Sequence, residues 1–284
     1  MGRGLPHGQP RSEEARKEET EVSTDAPLEQ GEDGSRQAAP QTRLDPTDRN
    51  AVAGFIRANT KPLAPPLVPE ITLQLAEESL PIWQKTEEEL GEINVPPPYW
   101  AFAWAGGQAL ARYLLDNPQI VAGKSVLDLG AGSGLQAIAA AMGGAVDVLA
   151  ADIDQIALVA CGINCAANGT QLKTTEKDLL DGPLSRSFDV ILVGDLFYER
   201  QLADRVLELI ERESAAGSLI LIGDPQRNYF PKGRFAEAAR YEVPVTRELE
   251  DALIKRTAVW CLGGPLEPRT SDQTGAAGME PATG

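Results

Sequence analysis

The sequence is poor in the side chains on which many enzymes depend. Its 284 residues include one histidine, His7, and three cysteines. His7 stands in a polar segment with glycine and proline, so Ser-His-Asp, Cys-His and histidine-ligated zinc catalysis have no partner residue, and we expect no metal site. Three cysteines are too few for a disulfide framework and favour a reducing compartment.

Long apolar runs are also lacking. No window approaches the roughly 20 apolar residues needed to span a bilayer. The N-terminal region lacks the apolar run of a secretory signal, and transit peptides are poor in acids. The arginines of this region stand among five acids: Glu13, Glu14, Glu18, Glu19 and Glu21. We therefore predict a cytoplasmic protein that does not act at a membrane.

Positive charge is scarce as well. The chain has 42 acidic and 26 basic side chains, for a net charge of −16, which argues against non-specific binding to a phosphate backbone. Residues 1–45 and 264–284 have few aliphatic or aromatic side chains, so we predict a disordered acidic leader and a disordered tail. Residues 46–263 would form one domain, with an N-terminal cap and helices over 46–123 and a core over 124–263.

Short apolar runs alternate with helical segments from residue 124 onward. The predicted strands are Ser125–Leu129, Val146–Ala151, Leu172–Glu176, Phe188–Val193 and Ser218–Ile222. The predicted helices between them are Leu135–Met142, Gln155–Asn168 and Arg200–Glu213. This alternation indicates βαβ units and a parallel sheet with helices on both faces. Phe235–Ala239 is predicted as a short helix, followed by Tyr241–Val245 and Arg256–Leu262 as an antiparallel pair at the sheet edge.

The pattern before residue 124 is broken by prolines. It predicts helices over Arg49–Ala58 and Trp104–Leu115 and a half-buried strand over Ile71–Ala76. The stretch Leu80–Leu90 is ambiguous, with a short helix ending at Gly91 as one interpretation.

The strongest motif is a glycine loop that joins a buried strand to a helix. Gly130, Gly132 and Gly134 have G-x-G-x-G spacing, whereas dinucleotide-binding folds use G-x-G-x-x-G. The loop therefore favours a mononucleoside, which its backbone can approach closely at the start of a helix. Asp128 precedes the loop and would suit the amino group of an amino-acid moiety, directly or through water. An ordinary strand–helix turn is the alternative.

Acidic side chains follow the next two strands. Asp152 lies where an acid pairs with ribose hydroxyls, and Asp154 would cap the helix that starts at Gln155. Asp178 follows the third strand and could accept a hydrogen bond from an adenine amine, or it is a solvated loop acid. Together with Asp128 of the first strand, Asp152 and Asp178 make three acids on three consecutive strands, and this arrangement favours a nucleoside site.

A second motif follows the fourth strand. Asp195 could accept a hydrogen bond from an attacking amine, and Phe197 and Tyr198 could exclude water and flank an aliphatic side chain. The alternative is that Asp195 caps a helix and the two aromatics are core residues. Arg227 and Lys232 are predicted as solvated loop charges, and contact with an acidic patch of the substrate is the alternative.

These residues, in this order, resemble the class I S-adenosylmethionine-dependent methyltransferases over roughly residues 94–262. Two stretches carry a narrower resemblance: Pro97–Leu114, and Gly194–Tyr198 together with Gly223–Arg227. They are similar to the protein-lysine methyltransferases that modify the β subunit of electron transfer flavoprotein. Bacterial relatives of that family also act on a ribosomal stalk protein.

The resemblance implies a Rossmann-like seven-stranded sheet, mostly parallel, with an antiparallel last strand. It implies S-adenosyl-L-methionine as cofactor, with Gly130, Gly132 and Gly134 forming the binding loop and Asp152 holding the ribose. Trp104, with the Gly106-Gly107 turn, would line the cofactor side. Asp195 and Tyr198 would face the substrate lysine. The acid-rich leader fits a bacterial cytoplasmic member, and we expect a monomer.

Four other functions remain open from the residues alone. A NAD-dependent oxidoreductase would need a dinucleotide loop. A methyltransferase for a nucleic acid would prefer a basic groove, and one for a small molecule also stays possible. A non-catalytic protein that binds S-adenosylmethionine would transfer no methyl group. For the lysine reaction we expect Asp195 to position the amine rather than to act as the main base.

Overall fold

The computed structural model describes residues 43–77, 87–245 and 253–263. Its helices are α1 Arg49–Asn59, α2 Glu87–Glu92, α3 Ala105–Asp116, α4 Leu135–Met142, α5 Gln155–Ala167 and α6 Arg200–Ala215. Its strands are β1 Lys61–Leu63, β2 Leu73–Leu75, β3 Ser125–Leu129, β4 Asp147–Ala151, β5 Lys173–Thr175, β6 Val190–Gly194, β7 Leu219–Asp224, β8 Ala236–Pro244 and β9 Ile254–Leu262. Nearly all of the predicted leader, the tail and most of Leu80–Leu90 lie outside the described residues.

Seven strands form one sheet in the order β5-β4-β3-β6-β7-β9-β8. The pairs among β3 to β7 are parallel, whereas β9 is antiparallel to both β7 and β8. The predicted mostly parallel sheet with an antiparallel last strand is confirmed. The chain moves outward in opposite directions from β3 and β6, so these neighbours form the switch point at which open α/β sheets bind ligands.

The strand β8 corrects the prediction of a helix over Phe235–Ala239. Ala236 pairs with Cys261 and Pro244 with Ile254, so β8 follows β9 along its length, with an irregularity between Glu237 and Ala239. The alanines and charged residues of this segment have good helix propensity. Backbone pairing with β9 overrides that local preference because strand formation depends on tertiary context.

Side chains alternate between the two faces of the sheet and meet helices on both. In β3, Val126 belongs to a buried cluster with residues of α3 and α4, whereas Leu127 belongs to a cluster with residues of α6. A third cluster joins α1 and α5 around Trp100. The predicted coverage of both faces is therefore confirmed, and it leaves the carboxyl ends of the strands as the accessible edge.

Two glycines bring the start of α3 against the end of β7. A Cβ atom at Gly106 would lie 2.1 Å from the carbonyl oxygen of Gly223, and one at Gly223 would lie 2.1 Å from that of Gly106. Such distances are impossible for a real side chain, so only glycine permits this backbone contact. The contact places the first N–H groups of α3 beside the carboxyl ends of β6 and β7.

Candidate active site

A cavity of about 860 Å³ opens at the carboxyl ends of the central strands. Leu129 of β3, Ala151 of β4 and Gly194 of β6 are the last residues of their strands and line its floor. The volume is within the range for small-molecule and cofactor sites. The position is the switch point, where the sheet topology predicts a ligand.

The glycine loop forms part of this floor. Gly130, Gly132 and Gly134 all have positive φ, at 67°, 51° and 81°, a conformation that side chains disfavour. Gly130 and Gly132 line the cavity, whereas Gly134 faces the interior. A Cβ at Gly134 would lie 2.5 Å from the sulfur of Cys161, a core residue as expected. The backbone of Gly130 and Gly132 therefore faces the cavity, and Gly134 packs against α5.

Three acids mark one side of the cavity, called here the acidic end: Asp152, Asp154 and Asp178. The Asp152 Oδ2 accepts a hydrogen bond from the Gly132 N–H at 2.8 Å, and its Oδ1 accepts one from the Asp154 N–H at 3.0 Å. Burial raises the pKa of Asp152 above its usual value. These bonds fix the carboxylate against the glycine loop, and each oxygen keeps further acceptor capacity toward the cavity.

Asp154 and Asp178 are both held by backbone groups. Asp154 accepts from the Ile156 N–H and is the N-cap of α5, which confirms its predicted capping role. Asp178 accepts from the Leu180 N–H, and its other oxygen pairs with Arg205 at 2.8 Å. The adenine contact of Asp178 stays a prediction, and the salt bridge leaves this acid charge-compensated.

Asp195 leads a second group at the other side of the cavity, called here the arginine end: Tyr99, Trp104, Asp195, Tyr198 and Arg227. The Asp195 Oδ2 accepts from the Gly107 N–H at 2.8 Å. Its Oδ1 accepts from the Nε of Arg227 at 3.0 Å and from its terminal nitrogen at 2.7 Å. The backbone of Asp195 has φ of +59° and is held by its N–H bond to the Gly223 oxygen. The carboxylate is buried but reaches the cavity.

Arg227 is the site residue that the sequence interpretation underweighted. Its guanidinium carbon lies 5.5 Å from the centre of the Trp104 ring, and its backbone N–H donates to the Oδ1 of Asp224 at 2.7 Å. It lines the cavity rather than standing as a solvated charge. Arg227 is 32 residues from Asp195 in the chain, so local sequence patterns could not predict that the two residues pair.

The aromatic side chains of the arginine end contact one another. The ring centre of Tyr99 lies 6.1 Å from that of Trp104 and 5.9 Å from that of Tyr198. Burial raises the pKa of Tyr198, and the nearby Tyr99 adds to the shift. The structure therefore places both predicted residues, Trp104 and Tyr198, on the cavity wall.

Residues from the N-terminal part of the domain complete the wall and were missed from sequence. They include Pro46, Thr47, Asn94, Pro96 and Pro97. Ile153, directly after Asp152, is 71% exposed and also lines the cavity. An apolar side chain so exposed on a cavity wall offers a surface that a flat ring would cover.

The prediction for Phe197 is wrong. Its side chain is fully buried and packs on Phe230 at 5.4 Å between ring centres, in the cluster beneath the sheet. The alternative of a core aromatic holds for Phe197, whereas Tyr198 is exposed and lines the cavity. The Gly106-Gly107 turn also does not line the cavity. These glycines lie in the first turn of α3, where the Gly107 N–H donates a hydrogen bond to Asp195.

Asp128 lies beneath the loop rather than on the cavity wall, which corrects the expectation of a direct ligand contact. It is fully buried, and its Oδ2 accepts from the Ala137 N–H in the first turn of α4. Its Oδ1 has no hydrogen-bond partner among the described residues. Burial raises the pKa of Asp128 to about 7.

Replacing Asp128 with asparagine is expected to stabilise the protein more at pH 8 than at pH 5. An unfolded aspartate has a pKa of about 3.9, so between about pH 4 and 7 the folded state keeps a proton that the unfolded state loses. The free energy of unfolding therefore falls as pH rises through this window, by a few kcal/mol in order of magnitude. Thermal unfolding of both proteins at the two pH values tests this. An equal difference in Tm at pH 5 and pH 8 would contradict it.

The described ranges contain neither a metal-binding cluster nor a membrane-spanning helix. In residues 43–77, 87–245 and 253–263, no group of three histidine, cysteine, aspartate or glutamate side chains is arranged to hold a metal ion. The helices of the same ranges are too short or too polar to span a membrane.

The sequence is similar to proteins of known name. The model of the family described as Ribosomal protein L11 methyltransferase (PrmA) matches residues 108–221. An electron transfer flavoprotein beta subunit lysine methyltransferase of Xenopus laevis is 39% identical over 219 residues, which cover 75% of this chain and 88% of the relative. Proteins of the same name from Rattus norvegicus and Homo sapiens are 42% and 35% identical, over 68% and 74% of this chain and 77% and 81% of their own lengths. The chain belongs to the electron transfer flavoprotein β-subunit lysine methyltransferase family, and it is an S-adenosylmethionine-dependent methyltransferase.

Proposed function

We propose that this protein methylates lysine side chains of the electron transfer flavoprotein β subunit. The observation that carries the proposal is the match to relatives of that name over most of both chains. The cavity supports it, because Asp195 and Tyr198 follow β6 and line one end while the glycine loop and Asp152 line the rest. A lysine entering at the arginine end would face the loop side of the cavity.

The residues of the cavity fit the cofactor. Gly130 and Gly132 present backbone without side chains, and Asp152 is fixed with acceptor capacity left for ribose hydroxyls. Ile153 would offer an apolar surface to the adenine base, Asp178 would accept from its amine, and Trp104 would line the cavity at the arginine end. When bound, S-adenosylmethionine supplies an activated methyl group on a sulfonium, which becomes a thioether after transfer.

The chain's own residues would align and desolvate the amine. A lysine side chain has an ordinary pKa of about 10.4 and must lose a proton before its nitrogen can attack. Tyr99, Trp104 and Tyr198 would contact the aliphatic stem and exclude water, and Asp195 would orient the nitrogen. Alignment of this kind can contribute up to about 7–11 kcal/mol in well-oriented intramolecular reactions.

Methylation with labelled cofactor tests the proposal. The protein is incubated with labelled S-adenosylmethionine and a lysate from a strain that lacks it, and the labelled protein is identified by mass spectrometry. Label on lysine of the β subunit supports the proposal. Ribosomal protein L11 is the second candidate substrate, favoured by the family match over residues 108–221. Label on L11 alone, or on nucleic acid or a small molecule, would contradict the proposal that the β subunit is the substrate.

Replacing Asp152 with alanine is expected to weaken cofactor binding roughly 10–100-fold, because hydrogen bonds to a charged group contribute about 1.5–3 kcal/mol each. Calorimetric titration with S-adenosylhomocysteine measures the effect. Asp204→Ala is the control, because Asp204 is an exposed aspartate of α6 that does not line the cavity. Equal affinities for the two variants would remove Asp152 from the binding site.

Location and assembly are further parts of the proposal. The three cysteines support a reducing compartment such as the cytoplasm. The net charge of −16 disfavours a nucleic-acid partner. Size-exclusion chromatography with light scattering tests the expected monomer, for which a mass near 30.4 kDa is the predicted result.

A further inference from the structure

The carboxylate of Asp195 is held in place by the protein. Arg227 donates two hydrogen bonds to Oδ1, and the Gly107 N–H donates to Oδ2. The pair is shielded, because the exposed fractions of the two side chains are 17% for Arg227 and 9% for Asp195. An ion pair held by a two-nitrogen fork in a shielded cavity is stronger and more directional than a surface pair.

The conformation of Arg227 is itself fixed by the loop after β7. Asp224, fully buried at the end of β7, accepts from the Arg227 N–H. Gln226, between them, has φ of +65°, an uncommon conformation for a residue other than glycine. The Trp104 ring lies beside the guanidinium. Several independent contacts thus aim this side chain at Asp195.

The charges around Asp195 come from three directions. The loop after β7 contributes Arg227, and the end of β7 contributes Asp224. Burial, and after it the charge of Asp195, raises the pKa of Asp224 to about 7. The first turn of α3 contributes the Gly107 N–H. Tyr198 follows Asp195 by three residues, and the ionisable groups near Tyr198 include Tyr99, Asp152 and Glu199. Arg227 is the cation that the structure shows on the cavity side of Asp195.

We propose that Arg227 is a positioning residue that compensates the charge of Asp195, so that the substrate lysine is held as its neutral amine. This inference rests on the proposed lysine methyltransferase function. Arg227 would act on the substrate amine through Asp195, whose two carboxylate oxygens it helps to hold in a fixed orientation.

The charges near the substrate amine determine its pKa. An uncompensated carboxylate within about 4–6 Å stabilises an ammonium and raises the pKa of the amine by roughly 1–3 units, whereas a nearby cation has the opposite effect. Nucleophilic attack would form an N–C bond with the nitrogen lone pair while the S–C bond breaks and its electron pair stays on the sulfur. One proton of the ammonium must therefore pass to water beforehand. Arg227 lets Asp195 orient the nitrogen without holding that proton in place.

The test compares pH profiles of kcat for the wild type, Arg227→Gln and Arg227→Lys, with the purified β subunit as substrate. In Arg227→Gln the apparent pKa of the rising limb is expected to move up by about one unit or more. Arg227→Lys keeps the charge but loses the fork, so its profile should keep the wild-type pKa with a lower plateau. A fall by the same factor at every pH in Arg227→Gln would overturn the inference.

The double variant Asp195→Asn with Arg227→Gln is the matched control. It removes both charges and leaves an amide pair, so its apparent pKa should return toward the wild-type value. An apparent pKa that stays as high as in Arg227→Gln would contradict action through Asp195.

A binding measurement separates the inference from folding and from the proposed function. The pKa of the substrate lysine is followed by NMR in β subunit labelled with carbon-13 at lysine Cε, in complex with enzyme and S-adenosylhomocysteine. A higher pKa with Arg227→Gln than with the wild type supports the inference without turnover, and an unchanged pKa overturns it. Failure of the wild type to methylate the β subunit would instead reject the proposed function.

Discussion

Replacing Asp195 with asparagine is expected to lower kcat on the protein substrate by about 10²-fold or more. Both carboxylate oxygens accept hydrogen bonds, from Gly107 on one side and Arg227 on the other. An amide must place its NH₂ group against one of these donors, so one bond becomes a repulsive contact. The acceptor nitrogen then loses its fixed direction, and misplacement by about 1 Å can cost about 10²-fold in rate.

Asparagine is chosen because it tolerates the positive φ at this position better than alanine. Single-turnover methylation measures the effect, and titration with S-adenosylhomocysteine checks that cofactor binding is retained. Asp204→Asn serves as the control, because Asp204 is an exposed residue of α6 away from the cavity lining. A rate for Asp195→Asn within a few-fold of the wild type would remove Asp195 from the proposed positioning role.

Replacing Gly106 with alanine is expected to destabilise the protein by at least about 3 kcal/mol and to reduce activity as well. The new Cβ would lie 2.1 Å from the Gly223 oxygen and 2.6 Å from the Asp195 Oδ2. Both neighbours are constrained, because the first is backbone of β7 and the second is paired with Arg227. Overpacking usually costs about 1–3 kcal/mol, and here the strand itself must shift.

A drop in Tm of roughly 6–12 °C corresponds to this loss for a domain of about this size. Gly162→Ala is the matched control, because Gly162 lies within α5 and a Cβ there meets no atom within 4 Å. That substitution should raise stability by up to about 1 kcal/mol through helix propensity. Equal Tm values for the two variants would show that α3 and β7 can separate without cost.

Local patterns predicted most of the central sheet. The helix α4 was predicted at its observed bounds, and β3 likewise, because an apolar strand followed by a glycine loop and a helix is specified by neighbouring residues. The cap at Asp154 was also predictable, since a capping side chain binds an N–H only two residues away. The position of Asp152 on the cavity wall was predictable because parallel strands bring their carboxyl ends to one edge of the sheet.

Features that depend on contacts between distant segments could not be predicted from local sequence. The segment Ala236–Pro244 has helix-forming residues, yet it is a strand because β9 offers a partner. Phe197 and Tyr198 are adjacent aromatics, and only the packing of Phe230 and Phe235 decides which of them is core. The lining residues Pro46 and Asn94 come from a region whose local pattern carries no site signal.

Local sequence is enough to predict the strand–loop–helix unit, the acids after consecutive strands and the resemblance to lysine methyltransferases. Each of these depends on spacing within a few residues or on a motif. The tertiary structure alone decided that Arg227 pairs with Asp195 and that Gly106 must be a glycine. Those contacts join segments far apart in the chain, and they exist only once the sheet brings the ends of β6, β7 and α3 together.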